Sequence, residues 1–166
     1  MAKRSARATT RATGTARGRR LRPVKAPVLA LRYVETSAIL AALLEGDAAA
    51  RTALRAEGRP VTSALTFAEA SRALVCARTA GRLTADQAQA AVRTLQSFER
   101  RCDVVAVTDA VLTRAARPFP VEPVRTLDAI HLATAEILGE PPQLMTILTR
   151  DIRVRENARA LGYAVA

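Results

Sequence analysis

Glu35, Glu69, Asp128 and Asp151 each stand where an apolar stretch meets a turn or a new helix. Their contexts are V-E-T-S-A-I-L, L-T-F-A-E-A-S-R-A-L, R-T-L-D-A-I-H-L-A-T-A and T-I-L-T-R-D. An ionised carboxylate beside a core is unfavourable unless something pairs it. Two carboxylates about 4–5 Å apart repel by roughly 3–4 kcal/mol at an effective dielectric near 20. Four acids at one rim would therefore need a cation, and their oxygen donors suit Mg²⁺ or Mn²⁺, which keep waters and share their shell with phosphates. Such an ion activates water and neutralises charge developing on a phosphodiester, which is nuclease chemistry.

Each acid also has an ordinary explanation. Glu69 with Thr66 fits the T-x-x-E capping box. Asp128 fits a first-turn acid on a helix dipole, and Asp151 fits a helix N-cap. Glu35 is harder to dismiss, because Glu is a poor strand former and a weak cap. These explanations treat the acids singly and leave their common position at element ends unexplained.

Neighbouring residues read more plainly. His131, three residues after Asp128, reads as a packing residue on an apolar helix face rather than an acid–base partner. Arg125, one turn before Asp128, could meet a substrate phosphate or pair with an adjacent acid. Arg150, Arg153 and Arg155 flank Asp151 and could steer RNA, with a solvated face as the simpler reading. Asp109, Glu122 and Glu136 read as surface or cap residues.

The elements that must position these acids alternate along the chain. Strands are expected at Val28–Val34 (interrupted by Arg32), Pro60–Ser63, Val104–Val107, Leu144–Leu148 and Gly162–Val165. Helices are expected over Thr36–Leu44, Ala48–Glu57, after the Pro60–Ser63 strand through Thr79, from the Thr84–Gln87 capping box to about Arg100, and over Asp109–Ala116, Leu127–Leu138 and Ile152–Leu161. The three prolines of Arg117–Pro123 impose a loop. Strands alternating with helices predict an α/β fold whose mainly parallel sheet of four to five strands is covered on both faces. In such sheets the site opens beyond the carboxyl ends of the strands, where strand order reverses. All four acids are expected at that edge.

Charge divides the chain unevenly. Nine of the 26 Lys and Arg fall in residues 1–27, which hold no acid, so 28–166 carries 17 basic and 15 acidic residues. The high pI thus belongs mainly to an extension expected to be disordered. That extension reads as a nucleic-acid-binding arm, an organellar-type presequence, or a start-site artefact or functionless addition. Residues 28–166 form the globular domain. Its positive charge is all Arg, which suits phosphate and equally reflects composition bias.

Cys76 and Cys102 lack metal-ligand spacing and fit a reduced cytoplasmic protein. No segment reads as a membrane span or a secretory signal. No Walker loop or G-x-G-x-x-G is present, and aromatics make up 3% of residues, too few for a base-stacking platform.

Residues 30–166 resemble a PIN domain, specifically the VapC-type toxin ribonucleases of bacterial toxin–antitoxin systems. The resemblance rests on Glu35-Thr36-Ser37 after a strand, Glu69 in a later helix, the R-x-x-D-A-x-x-x-A-T-A run from Arg125 to Ala135, and Thr149-Arg150-Asp151 after a late strand. It implies a three-layer α/β/α fold and an endoribonuclease dependent on Mg²⁺ or Mn²⁺. It also implies inhibition by a cognate antitoxin, and a homodimer or higher assembly. Carried over, Glu35, Glu69, Asp128 and Asp151 become metal ligands or water-activating groups, with Thr36 and Thr149 as supporting hydroxyls.

One position departs from the pattern. The family usually carries Asp where this chain has Glu35. The extra methylene displaces the carboxylate by about one C–C bond, and Mg²⁺ tolerates distorted geometry poorly. A misplacement of about 1 Å can lower a rate on the order of 10²-fold. The alternative is therefore a catalytically impaired PIN-like domain that binds RNA or a partner. A different α/β enzyme acting on a small phosphorylated molecule is a further reading.

Overall fold

The computed structural model describes residues 30–166; the basic extension 1–27 lies outside the described residues. Five strands form one sheet: β1 (Leu31–Val34), β2 (Arg59–Ser63), β3 (Asp103–Val105), β4 (Met145–Leu148) and β5 (Ala164–Val165). The helices are α1 (Thr36–Leu44), α2 (Ala48–Arg55), α3 (Ala64–Thr79), α4 (Ala85–Glu99), α5 (Asp109–Ala115), α6 (Thr126–Ile137) and α7 (Ile152–Ala160). A 3-10 turn, Pro142–Leu144, leads into β4.

The sheet order is β3-β2-β1-β4-β5, and every neighbouring pair is parallel. From β1 the chain builds outward to β2 and β3. It then crosses back to lay β4 on the opposite flank of β1. The reversal opens a crevice between the carboxyl ends of β1 and β4.

Side-chain alternation builds the three layers. Leu31 and Tyr33 of β1 and Met145 and Ile147 of β4 pack with Val111, Leu132, Ala133 and Val154 of α5, α6 and α7. Val34 and Leu148, one residue out of phase, join Ile39, Leu74, Leu95 and Phe98 from α1, α3 and α4 on the opposite face. Strand side chains point to opposite faces with a period of two, so β1, buried throughout, and β4, buried except for the half-buried Thr146, serve both cores.

Arg32 is the one charge inside β1. Its guanidinium donates to the carbonyls of Ala56 (2.8 Å) and Ala53. It thereby satisfies the Ala56 carbonyl at the end of α2 and adds a second donor to the Ala53 carbonyl, which also accepts from Ala56 N. What interrupts the apolar run in the sequence is thus a cap for a neighbouring helix. Gly58 makes room for it: a Cβ there would lie 2.5 Å from Arg32 Cδ, and the residue sits at φ +132°.

Element positions follow the sequence reading closely, with small differences at ends. β3 starts at Asp103 because that residue pairs with Val61. The Thr84–Gln87 capping box is present, with both reciprocal bonds formed. The loop after α5 is pinned by Asn157 of α7, whose side chain accepts from Val121 N and donates to Val121 O. That anchorage fixes where α6 begins, and with it Asp128.

Candidate active site

Glu35 follows β1 directly and is the N-cap of α1. Its side chain turns back over the first turn and accepts from Ser37 N at 3.0 Å. The sequence reading of Glu as a weak cap is corrected here: the longer stem lets the carboxylate curl onto its own helix start. Its other oxygen accepts from the Ser37 hydroxyl and from Thr149 Oγ1 (2.8 Å). Glu35 is 5% exposed, so these donors replace the water it has lost.

Ser37 joins the two strand ends. While donating to Glu35, its hydroxyl oxygen accepts from Arg150 N (2.7 Å) and Asp151 N (3.1 Å). Sequence reasoning gave this role to Thr36 and Thr149 and quoted Ser37 only as part of a motif. No local signal marks it, because its partners lie more than a hundred positions away.

Asp151 is the N-cap of α7, with Oδ1 accepting from Arg153 N (2.7 Å) and Val154 N (3.3 Å). The capping explanation is therefore correct, and the capping carboxylate adds to the negative charge acting on Asp128. Asp128 sits in the first turn of α6, whose N-cap, Arg125, makes no side-chain cap bond. Asp128 Oδ2 is buried without a hydrogen-bond partner. Its acid strength reports its surroundings. Burial raises its pKa, the charges of Asp151 and Glu35 raise it further, and Arg125 and His131 offset only part of this. Acids from three distant segments thus lie near enough for Glu35 and Asp151 to act on Asp128.

Glu69 is handled differently. The N-cap of α3 is Ser63, not Thr66, so the T-x-x-E box is not formed. Thr66 instead bonds Thr62 in the interior (2.7 Å). The Glu69 carboxylate reaches Thr36 Oγ1 (2.5 Å) and His131 Nε2 (2.8 Å). Burial pushes its pKa up, but the hydrogen bonds from His131 and Thr36 and the influence of His131 outweigh it, and the net shift is downward. Glu69 stays ionised where Asp128 resists ionisation.

His131 is therefore more than packing. It is 1% exposed, with Nδ1 3.0 Å from the Tyr33 hydroxyl and Nε2 near both Glu69 and Thr36 Oγ1 (3.1 Å). The sequence signal was its placement one turn after Asp128. What hid the role is that Glu69 lies 62 positions away.

The arginines divide. Arg150 Nε binds Asp47 at 2.8 Å, which ties the start of α2 to the turn after β4. Arg125 is exposed, and its charge acts on Asp128. Among the remaining acids, Glu136 pairs with Arg114 at 2.8 Å, and Glu122 accepts from Phe119 N and Val124 N. Asp109 opens α5, one residue after its Thr108 cap.

Among the described residues, no three acidic, His or Cys side chains stand close enough to grip one ion between them. The donor chemistry nevertheless fits a hard divalent cation. The facing groups are all carboxylates, and one of them has a buried oxygen lacking any partner. Mg²⁺ commonly takes only one or two protein carboxylates, with waters and substrate phosphate completing its shell.

A doubly covered parallel sheet with carboxylates at its switch point defines an acid-lined α/β site, and the chain belongs to the PIN domain family, which matches residues 32–160. Ribonuclease VapC35 of Mycobacterium tuberculosis is 37% identical to it over 137 residues, covering 80% of this chain and 93% of that protein. Ribonuclease VapC46 of the same organism is 37% identical over 140 residues, covering 82% and 97%. Among solved structures, VapBC2 from Rickettsia felis bound to a promoter DNA fragment superposes with a TM-score of 0.56 at 11% identity. That match covers 82% of this chain and 97% of the other. It shows a common fold.

Proposed function

We propose that this chain is a metal-dependent endoribonuclease using Mg²⁺ or Mn²⁺, and that it is the toxin of a toxin–antitoxin pair acting in the cytoplasm. The observation that carries the reading is Asp128 Oδ2, buried without a partner while Glu35 and Asp151 add negative charge around it. A charge so placed is disfavoured unless a cation joins it. The ribonuclease names of relatives 37% identical over nearly their whole length support the reaction class.

Asp128 and Asp151 would hold the cation, with Glu35 behind them. What a bound divalent ion supplies there is neutralisation of charge developing on the phosphodiester as water attacks. Glu69, kept ionised by Thr36 and His131, would accept the proton of that water. Thr149 and Ser37 keep Glu35 from swinging away. Arg125 is the better phosphate contact, because Arg150 is engaged by Asp47. An antitoxin protein and a homodimeric or higher assembly are the partners this reading brings.

One observation favours a second reading. Glu35 stands where the family usually has Asp, and its carboxylate is taken up by Ser37 and Thr149. A domain impaired in this way could still bind RNA or a partner. RNA cleavage with Mn²⁺, Mg²⁺ and EDTA separates the two for wild type, Asp128→Asn and Glu35→Asp. Wild-type cleavage abolished by EDTA and by Asp128→Asn is the expected result. Activity no greater than that of Asp128→Asn refutes the enzyme reading, and gain through Glu35→Asp identifies impairment.

A further inference from the structure

We propose that His131 is a positioning residue, a fixed N–H donor that holds Glu69 toward the crevice, and that Tyr33 locks the ring from behind. The inference rests on the ribonuclease reading for its catalytic consequence and on geometry alone for the tether.

The argument follows the hydrogens. Nε2 of His131 faces the Glu69 carboxylate, which is only an acceptor when ionised, at 2.8 Å. Nε2 must therefore carry the hydrogen. With the ring neutral, Nδ1 is then an acceptor, and the Tyr33 hydroxyl at 3.0 Å is its donor. Tyr33 and His131 are both 1% exposed, and water does not compete. Thr36 completes the arrangement: its hydroxyl donates to the same Glu69 oxygen at 2.5 Å.

Two elements thereby meet on one carboxylate, α6 through His131 and the start of α1 through Thr36, while Tyr33 of β1 braces the ring from behind. Glu69 itself projects from α3, on the other side of the sheet from α6. Without the ring its side chain would retain only the Thr36 bond and would sample several rotamers. Partners that orient a reacting group from behind typically change activity by about 10–100-fold when removed.

His131 is the only histidine in the chain, so its ring can be followed by nitrogen NMR without assignment. The wild type should show one protonated ring nitrogen, Nε2, with slow hydrogen exchange. Tyr33→Phe removes a single oxygen from behind the ring and should speed that exchange or mix the tautomers. In RNA cleavage, His131→Leu should lower kcat by about 10–100-fold with KM nearly unchanged. His131→Gln, which restores an N–H near the Nε2 position, should recover most of the loss.

A hydrogen on Nδ1 in the wild type overturns the proposal, as does equal kcat in wild type and His131→Leu. Equal loss in the Gln and Leu variants also overturns it, because packing alone would then explain the residue. If wild type cleaves no RNA beyond Asp128→Asn, the ribonuclease reading fails instead, and the ring-nitrogen signal still decides the tether. Should His131→Leu fail to fold, the Tyr33→Phe exchange rate and kcat carry the decision.

Discussion

Glu35 and Asp128 open onto the same crevice and are held in opposite ways. Glu35 is surrounded by donors: one backbone amide and two hydroxyls satisfy its oxygens. Asp128 has a buried oxygen with none. The first is stabilised by the fold, and the second is destabilised by it. A folded chain keeps an unsatisfied acid when something outside the chain completes it. Under the ribonuclease proposal, the contrast would put the working end of the site on the α6 side and the structural end at the junction of β1 and α1.

The largest effect expected from this contrast is at Asp128. Asp128→Asn should reduce RNA cleavage by about 10²–10³-fold, the usual loss for one preorganised electrostatic contact. It should also leave stability at neutral pH unchanged or raised. A carboxyl whose folded pKa is raised contributes stability below its unfolded pKa and loses it as pH rises through the folded value. The wild type should therefore gain stability as pH falls from neutral through that raised value, and Asp128→Asn should lack this component. Glu69, with its pKa lowered, works oppositely: its contribution is present above the unfolded value and disappears only at more acidic pH. Melting curves across pH check both signs. A destabilised Asp128→Asn protein at neutral pH would break the comparison.

Glu35 should behave in the reverse sense. Glu35→Ala removes an N-cap and leaves Ser37 and Thr149 without their acceptor, for an expected loss of about 1–2 kcal/mol. For a domain of this size that lowers Tm by about 2–8 °C. Saturating Mn²⁺ sharpens the distinction. At 100 times its Kd it should stabilise the wild type by about 2.7 kcal/mol, and Asp128→Asn should lose most of that gain. If Glu35→Ala melts like wild type, its hydrogen bonds are incidental.

This division was only partly legible in the sequence. The addresses of Glu35, Asp128 and Asp151 could be read because each directly follows or opens a regular element, and strand–helix alternation fixes which sheet edge those junctions occupy. The helix boundaries at Thr84 and Asp151 were legible for the same local reason, since caps contact residues two or three positions away. Ser37, His131 and Arg32 were not. Each makes its decisive bonds across at least 21 positions, where only the assembled sheet brings partners together. Glu69 shows how tertiary bonding overrides a local motif. The T-x-x-E pattern was present, but helix α3 began earlier and the carboxylate found His131 instead.

The smallest expected effect tests whether Arg150 belongs to the structural end or the working end. Arg150 lies between Thr149, which holds Glu35, and Asp151, yet its guanidinium points to Asp47. Asp47 also caps α2 through Ala50 N at 2.9 Å, so Asp47→Asn keeps the cap and removes the charge. Ion pairs as exposed as this one add little to stability, and Tm should stay close to wild type. The released guanidinium would then be available to a phosphate, and KM for RNA should fall by a small factor at low salt, with the difference shrinking as salt screens it. An unchanged KM at every ionic strength would place Arg150 with Glu35 as part of the frame, and would leave Arg125 as the remaining candidate for a phosphate contact.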